Sequence, residues 1–170
     1  MPTFETADDV RPLLSAAIAK YHQELQTVGV TVALMYAFAS KDEDGEPKGN
    51  ALKVHGWPAA AKIKINSLAD RCEGKDDCTI TIDGDRWKEL AEPRRLALLD
   101  HELEHLIVCR DAEGAVRKDD ADRPKLRIRP HDMQGGVFVE VMKRHKEHAI
   151  DAEVCSEFSR CLEQAEIPWG

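Results

Sequence analysis

The spacing of apolar residues predicts helices at both ends of the chain. One stripe predicts an amphipathic helix from about residue 7 to about residue 27, with Thr6 or Asp8 as its N-cap. Two more predict helices over about 133–146 and 146–165. The stripes are Val10, Leu13, Leu14, Ile18, Tyr21 and Leu25; Val137, Phe138, Val141 and Met142; and Ile150, Val154, Phe158 and Leu162.

Strand-like patterns occupy the middle of the chain. Residues 31–39 form an apolar run typical of a buried strand, and residues 61–67 and 78–83 alternate between polar and apolar side chains. Residues 125–129 alternate as well, and we expect them to pair with residues 107–111 in a hairpin.

A leucine-rich helix is predicted between these strands and the hairpin. Asp85 is expected to cap a short helix that ends near Leu90, and Pro93 suits the first turn of the next helix. This second helix carries an apolar stripe of Leu96, Leu99, Leu103 and Leu106 or Ile107. The whole pattern predicts a single small α+β domain over residues 1–170, with a sheet of three or more strands packed on the leucine-rich helix.

The leucine-rich helix contains the sequence His-Glu-Leu-Glu-His at residues 101–105. Four residues apart on a helix, His101 and His105 project from one face and can bind one zinc ion. Glu102 can then act as general base toward a water molecule at the metal. The alternative is a solvated helix face, but burying these polar groups without a partner is costly.

A catalytic zinc site needs a third protein ligand. We expect His131, which follows Pro130 at a predicted strand-to-helix junction. Asp132 is a candidate to orient an imidazole or to replace His131 as the ligand, and Glu140 is a further alternative. The other histidines, at positions 22, 55, 145 and 148, are predicted to lie on the surface.

Composition narrows the range of partners. The net charge of −8 argues against a broad surface for nucleic acid or anionic membrane. The apolar run from Val28 to Ala39 is too short to cross a bilayer. No export signal is evident at the N-terminus, so we expect a cytoplasmic protein. The pattern does not indicate an oligomeric state.

The chain has five cysteines, at positions 72, 78, 109, 155 and 161. An odd number without an export signal favours free thiols. Two alternatives stay open: a disulfide between Cys72 and Cys78, and a structural zinc site formed by those two with Cys155 and Cys161.

The stretch Leu98–His105, followed by a hairpin and then Pro130-His131-Asp132, resembles a metallopeptidase family common in phage and prophage genomes. The segment Asp83–Leu90, a strand leading into a tryptophan-bearing helix, fits the same family. The resemblance covers about residues 63–145. More distantly, the pattern is similar to SprT-like and ImmA/IrrE-like minimal zincins.

This resemblance implies a zincin-like fold, with His101 and His105 as ligands, Glu102 as base, and His131 with Asp132 as the downstream pair. It implies a zinc peptidase acting on a protein or peptide, in the host cytoplasm if the chain is phage-encoded. The short chain, with no evident propeptide, favours narrow specificity. Tyr36, Arg127 and Arg129 are candidates to stabilise an oxyanion. The rival hypothesis is a non-catalytic module that keeps the metal for stability and docks on a host protein.

Overall fold

The fold combines a small mixed β-sheet with helices, so the expected α+β class is confirmed. The structure is a computed structural model that describes residues 2–131 and 137–156. Its strands are β1 (Thr3–Thr6), β2 (Val32–Phe38), β3 (Lys53–Val54), β4 (Trp57–Pro58), β5 (Ala61–Ile65), β6 (Cys78–Asp83), β7 (Leu106–Val108) and β8 (Leu126–Ile128). Its α-helices are α1 (Arg11–Tyr21), α2 (Gln23–Val28), α3 (Leu68–Cys72), α4 (Gly84–Glu89), α5 (Glu92–Glu104) and α6 (Val139–His145), and residues 150–156 are also helical.

The main sheet has the strand order β1-β2-β6-β5. The central pair, β2 and β6, is parallel, while β1 and β5 are antiparallel to their neighbours. The predicted strands at 31–39, 61–67 and 78–83 correspond to β2, β5 and β6. The predicted hairpin corresponds to β7 and β8, which pair with Leu106 opposite Ile128.

The leucine-rich helix α5 packs between α1 and strand β5. Pro93 lies in its first turn, as predicted. Leu99 and Leu103 are fully buried in one cluster with Leu14 of α1 and Ile80 and Ile82 of β6. This packing fixes α5 against the sheet, and therefore fixes the position of every side chain on its remaining faces.

The prediction of one continuous helix over residues 7–27 is wrong. The chain starts with β1, passes through a 3₁₀ turn at Asp8–Val10, and forms two helices that break at His22. Neither Thr6 nor Asp8 caps α1, whose N-cap position is Val10. The break coincides with a long-range contact, because the His22 imidazole turns inward to a buried carboxylate, Asp100.

A second hairpin, formed by β3 and β4, was not predicted. His55 and Gly56 connect its strands with φ values of 50° and 87°. Positive φ at both central residues is characteristic of a tight primed turn, which suits a two-residue hairpin loop. Helix α3 was also missed, and α4 is capped by Asp83 rather than by Asp85.

The C-terminal helices are shorter in the described residues than predicted. Helix α6 starts at Val139 rather than near residue 133, and residues 133–136 lie outside the described part of the chain. The last helix is described from 150 to 156 only, so the prediction for 157–165 lies outside it. Within the described ranges, no helix is long and apolar enough to cross a membrane.

The cysteines that the structure describes are free thiols, in agreement with the first expectation. Cys72 is exposed and Cys78 is buried, so the disulfide between them is not formed. Burial and the neighbouring Asp77 and Asp76 raise the pKa of the Cys78 thiol to about 12. Cys161 lies outside the described residues.

Candidate metal centre

Helix α5 presents two histidines side by side at its C-terminal end. His105 occupies the C-cap position but keeps helical dihedrals, with φ −67° and ψ −19°. His101 and His105 therefore project from the same side, and their ring centroids lie 5.3 Å apart.

The β7–β8 hairpin carries a third histidine to this pair. The backbone N–H of Arg129 donates to the carbonyl of His105 at 2.7 Å, which holds the end of β8 beside the end of α5. Two residues later, the His131 ring lies 4.5 Å from that of His105 and 5.1 Å from that of His101. One nitrogen of each ring lies within 4.8 Å of the others, close enough to bind one metal ion.

The ring nitrogens that point away from this centre have acceptors. His101 Nδ1 lies 2.6 Å from an oxygen of Asp151, and His105 Nδ1 lies 2.8 Å from the carbonyl oxygen of Arg129. An Nδ1–H donated to such acceptors leaves Nε2 as a lone-pair donor, which is the tautomer a metal requires. His101 Nε2 in turn faces His131 Nε2 at 3.1 Å. This donor set fits a metal bound by three imidazoles.

Phe138 forms a rigid wall beside the three histidines. Its ring lies 5.1 Å, 4.8 Å and 4.9 Å from the rings of His101, His105 and His131, and its side chain is fully buried. Asp151 anchors Phe138 as well, because its second oxygen accepts the Phe138 backbone N–H at 2.7 Å. One carboxylate therefore orients both a candidate ligand and the wall of the site.

Glu102 lies beside the histidines in a water-poor environment. Only 4% of its surface is exposed, and burial raises the pKa of its carboxyl to about 7. The charge of His101 and a hydrogen bond with the backbone of Ile63 oppose that rise without cancelling it. A carboxyl with a pKa near neutrality can both accept and return a proton.

The two histidines of α5 differ electrostatically. Burial by itself acts to lower the pKa of both imidazoles. At His101 the hydrogen bond to Asp151 and the charge of Glu102 outweigh burial, so the pKa rises. At His105 burial dominates and the pKa falls.

The centre opens onto a cleft of about 910 Å³. His101, Glu102, His105 and His131 lie in its wall. The cleft is also lined by β5, an edge strand of the main sheet, and by the β3–β4 hairpin. The candidate metal centre is therefore reachable by a sizeable ligand.

Two residues downstream of His131, Asp132 and Glu140, were predicted as alternative metal ligands. Glu140 is exposed on α6, its carboxylate pairs with Lys143 at 2.7 Å, and it is not among the metal-binding groups found in the described residues. Asp132 lies outside the described residues. Asp151 was missed, since nothing in its helical sequence context distinguishes it from a solvated aspartate.

Two histidines that were predicted to lie on the surface have largely buried side chains. His22 and His145 both bond through Nε2 to the buried Asp100, at 2.6 Å and 2.8 Å. The error has a physical reason, since Asp100 has no exposure and needs buried partners. Both histidines continue apolar helical stripes, which was an available signal. The prediction of surface positions is confirmed for His55 and His148, which are exposed.

The three candidates for stabilising an oxyanion lie outside the three-histidine centre. The Tyr36 hydroxyl donates to Asp9 at 2.9 Å, outside the residues that line the cleft. Arg129 lines the cleft, and its guanidinium bonds to Glu104 at 2.8 Å. Arg127 is exposed on β8 and does not line the cleft. Glu104 is therefore engaged by an arginine and is not a ligand candidate of the three-histidine centre.

Three converging imidazoles that could hold one metal ion, next to a buried glutamate, form a candidate metal centre with the His-Glu-x-x-His sequence pattern. The family comparison agrees with such a centre. A sequence family described as "Putative phage metallopeptidase" matches residues 2–164, and the chain belongs to that family. The family description indicates a metallopeptidase, and therefore a metal and a protein substrate. Neither the curated proteins nor the solved structures contain a match to this chain.

Proposed function

We propose that this protein is a zinc-dependent peptidase in which Glu102 is the general base. The observation that carries the proposal is the convergence of His101, His105 and His131 beside a buried carboxyl at the wall of an open cleft. Within residues 2–131 and 137–156 these three imidazoles have no fourth protein group with them, whereas a site that only stabilised the fold would close all four metal positions with protein groups.

The three histidines would hold the metal, and three imidazoles favour zinc over calcium or magnesium, which prefer oxygen ligands. Bound zinc supplies a Lewis acid and lowers the pKa of a water molecule to about 7. Asp151 and the Arg129 carbonyl keep the ligand rings in position. Asp132 remains a predicted partner or alternative ligand.

Glu102 would accept the proton of the attacking water and then pass it to the departing amine. Its carboxyl lies in the wall of the cleft beside the three imidazoles, which is where a general base for this reaction is needed. Burial also keeps bulk water away from the carboxyl, so that the proton stays with the reacting groups.

Strand β5 supplies a surface for the substrate backbone. It is the last strand of its sheet, and its residues Ala61, Lys62 and Ile63 line the cleft. An extended peptide can add to such an edge through main-chain hydrogen bonds. A substrate held in this way would be an unfolded or exposed segment of a protein.

The test compares three purified forms: wild type, Glu102→Gln and Glu104→Gln. Glu104 is the matched control, because it lies on the same helix but bonds to Arg129 and Arg144. We expect stoichiometric zinc in all three and cleavage of a quenched-peptide library by wild type and Glu104→Gln. Glu102→Gln should lose about 100- to 10,000-fold of the rate.

Two results would count against the proposal. Folded wild-type protein that binds no zinc would remove the metal centre. Zinc-loaded protein that retains its biological effect in the Glu102→Gln form would favour the non-catalytic docking module.

A further inference from the structure

The wall of the cleft carries unneutralised positive charge. Lys53 on β3, Lys62 on β5 and Arg86 on α4 line the cleft at exposed positions. Within residues 2–131 and 137–156, none of these three side chains forms an ion pair. Three separate elements of the fold therefore each bring a free cation to one opening.

The acidic groups of the same wall are already engaged. Asp151 bonds to His101, and Glu153 pairs with Arg94. Glu102 is buried at the metal centre. Although the whole chain has a net charge of −8, the free side-chain charge along the cleft is positive among the described residues that line it.

Distance decides which of these charges a bound ligand senses. At physiological ionic strength the Debye length is about 8 Å, so charges on the far surface are largely screened. Lys53, Lys62 and Arg86 line the cleft itself, and their attraction acts at contact range. The local positive charge therefore outweighs the general negative charge for a ligand inside the cleft.

Exposed apolar side chains line the same cleft as these cations. Val54, Ile128 and Val154 line the cleft, with 39%, 46% and 38% of their surfaces exposed. Trp57, in the same hairpin as Val54, is 77% exposed. Exposed apolar surface beside a polar rim is typical of an interaction site.

We propose that the cleft selects an extended acidic segment of its substrate, in which carboxylates alternate with apolar side chains. The carboxylates would meet Lys53, Lys62 and Arg86, and the apolar groups would meet Val54, Ile128 and Val154. This inference deepens the proposed peptidase function and rests on it for the identification of the occupant as a polypeptide.

Binding without cleavage tests the inference directly. The protein is zinc-loaded Glu102→Gln, and the probes are two fluorescent peptides that repeat Glu-Ser-Val or Gln-Ser-Val over about twelve residues. Fluorescence anisotropy at about 0.15 M salt should show about tenfold tighter binding of the Glu peptide, from three rim charges. Raising the salt to about 0.5 M should reduce the preference to below about twofold.

Charge reversal locates the preference. Adding Lys53→Glu and Lys62→Glu to the Glu102→Gln protein should abolish the preference for the Glu peptide. Arg86→Glu, which changes a charge on helix α4 instead, should reduce the preference. Lys125→Glu is the matched control, because Lys125 is exposed, has no ion pair among the described residues and does not line the cleft. Each variant is first checked for zinc content and circular dichroism.

Equal binding of the two peptides would overturn the inference, and so would a preference that survives all three reversals. Failure of the proposed function is a separate outcome. Wild-type protein that binds the Glu peptide preferentially but cleaves no peptide would support the selection of acidic segments by the cleft and contradict the proposed peptidase function. Cleavage of the Gln peptide as readily as the Glu peptide would support the peptidase function and contradict the selection of acidic segments.

Discussion

Helix α5 carries two histidine–carboxylate clusters on neighbouring faces, and they use opposite ring nitrogens. In the metal-centre cluster, His101 bonds to Asp151 through Nδ1, which leaves Nε2 for a ligand. In the second cluster, His22 and His145 bond to Asp100 through Nε2. His101 therefore directs Nε2 toward the other two imidazoles, whereas His22 and His145 direct Nε2 at a carboxylate.

The second cluster also differs from the metal-centre cluster because it contains an arginine, Arg144. His22, Asp100 and Glu104 lie close enough together to hold a metal ion. However, Arg144 Nη1 lies 3.0 Å from Asp100 and 3.1 Å from Glu104, so a guanidinium already supplies the positive charge. Burial raises the pKa of Asp100, but bonds to His22 and the charge of Arg144 outweigh it and lower the pKa overall. Proximity of ligand atoms alone does not define a metal centre.

The largest expected effect comes from breaking the second cluster. Asp100→Asn removes a fully buried charge on which His22, His145 and Arg144 converge. We expect a loss of about 3 kcal/mol in the free energy of unfolding, at the lower end for buried ion pairs because Arg144 is partly exposed. Urea denaturation measures the loss, and zinc content should stay stoichiometric. Loss of zinc with unchanged stability would reverse the roles of the two clusters.

A smaller effect is expected from the corresponding change in the metal-centre cluster. Asp151→Asn leaves the three ligands in place but weakens the acceptor that orients His101. Zinc affinity should fall about 10- to 100-fold, measured by competition with a chromogenic chelator. Asp100→Asn, assayed in the same way, should change it little. An unchanged affinity in Asp151→Asn would show that Asp151 does not act through the metal.

The smallest effect is expected from one histidine of the second cluster. His22→Gln removes the imidazole but leaves Asp100 with His145 and Arg144 as partners. We expect a loss of about 1 kcal/mol in unfolding free energy, the net value of a typical hydrogen bond. Differential urea denaturation of the two proteins measures it. A loss as large as that of Asp100→Asn would mean that His22, rather than Arg144, balances the carboxylate.

The parts of the site that the sequence revealed are those encoded locally. His101, Glu102 and His105 follow from spacing on one helix, and His131 follows from its junction after Pro130. Asp151 lies 50 residues beyond its partner His101, and no local pattern links the two. The second cluster was missed for the same reason, since His22 is 78 residues from Asp100.

The elements of the fold divide in the same way, into those that a local pattern predicts and those that depend on distant partners. Strands β2, β5 and β6 could be predicted because their alternation reflects burial on the sheet. The break at His22 could not, because it depends on a partner distant in sequence. The β3–β4 hairpin is too short for a periodic signal, and only the turn residues His55 and Gly56 indicate it.

The parallel pairing of β2 with β6 has a consequence for the order of folding. Val32 and Cys78 are partners 46 residues apart, while β5 and β6 can pair locally as neighbours in sequence. Closing a loop of that length costs about 3 kcal/mol of chain entropy before any contact compensates for it. We therefore expect the β5–β6 pair to form early and β2 to join late in folding. Newly synthesised chains would expose one edge of β6 until β2 docks.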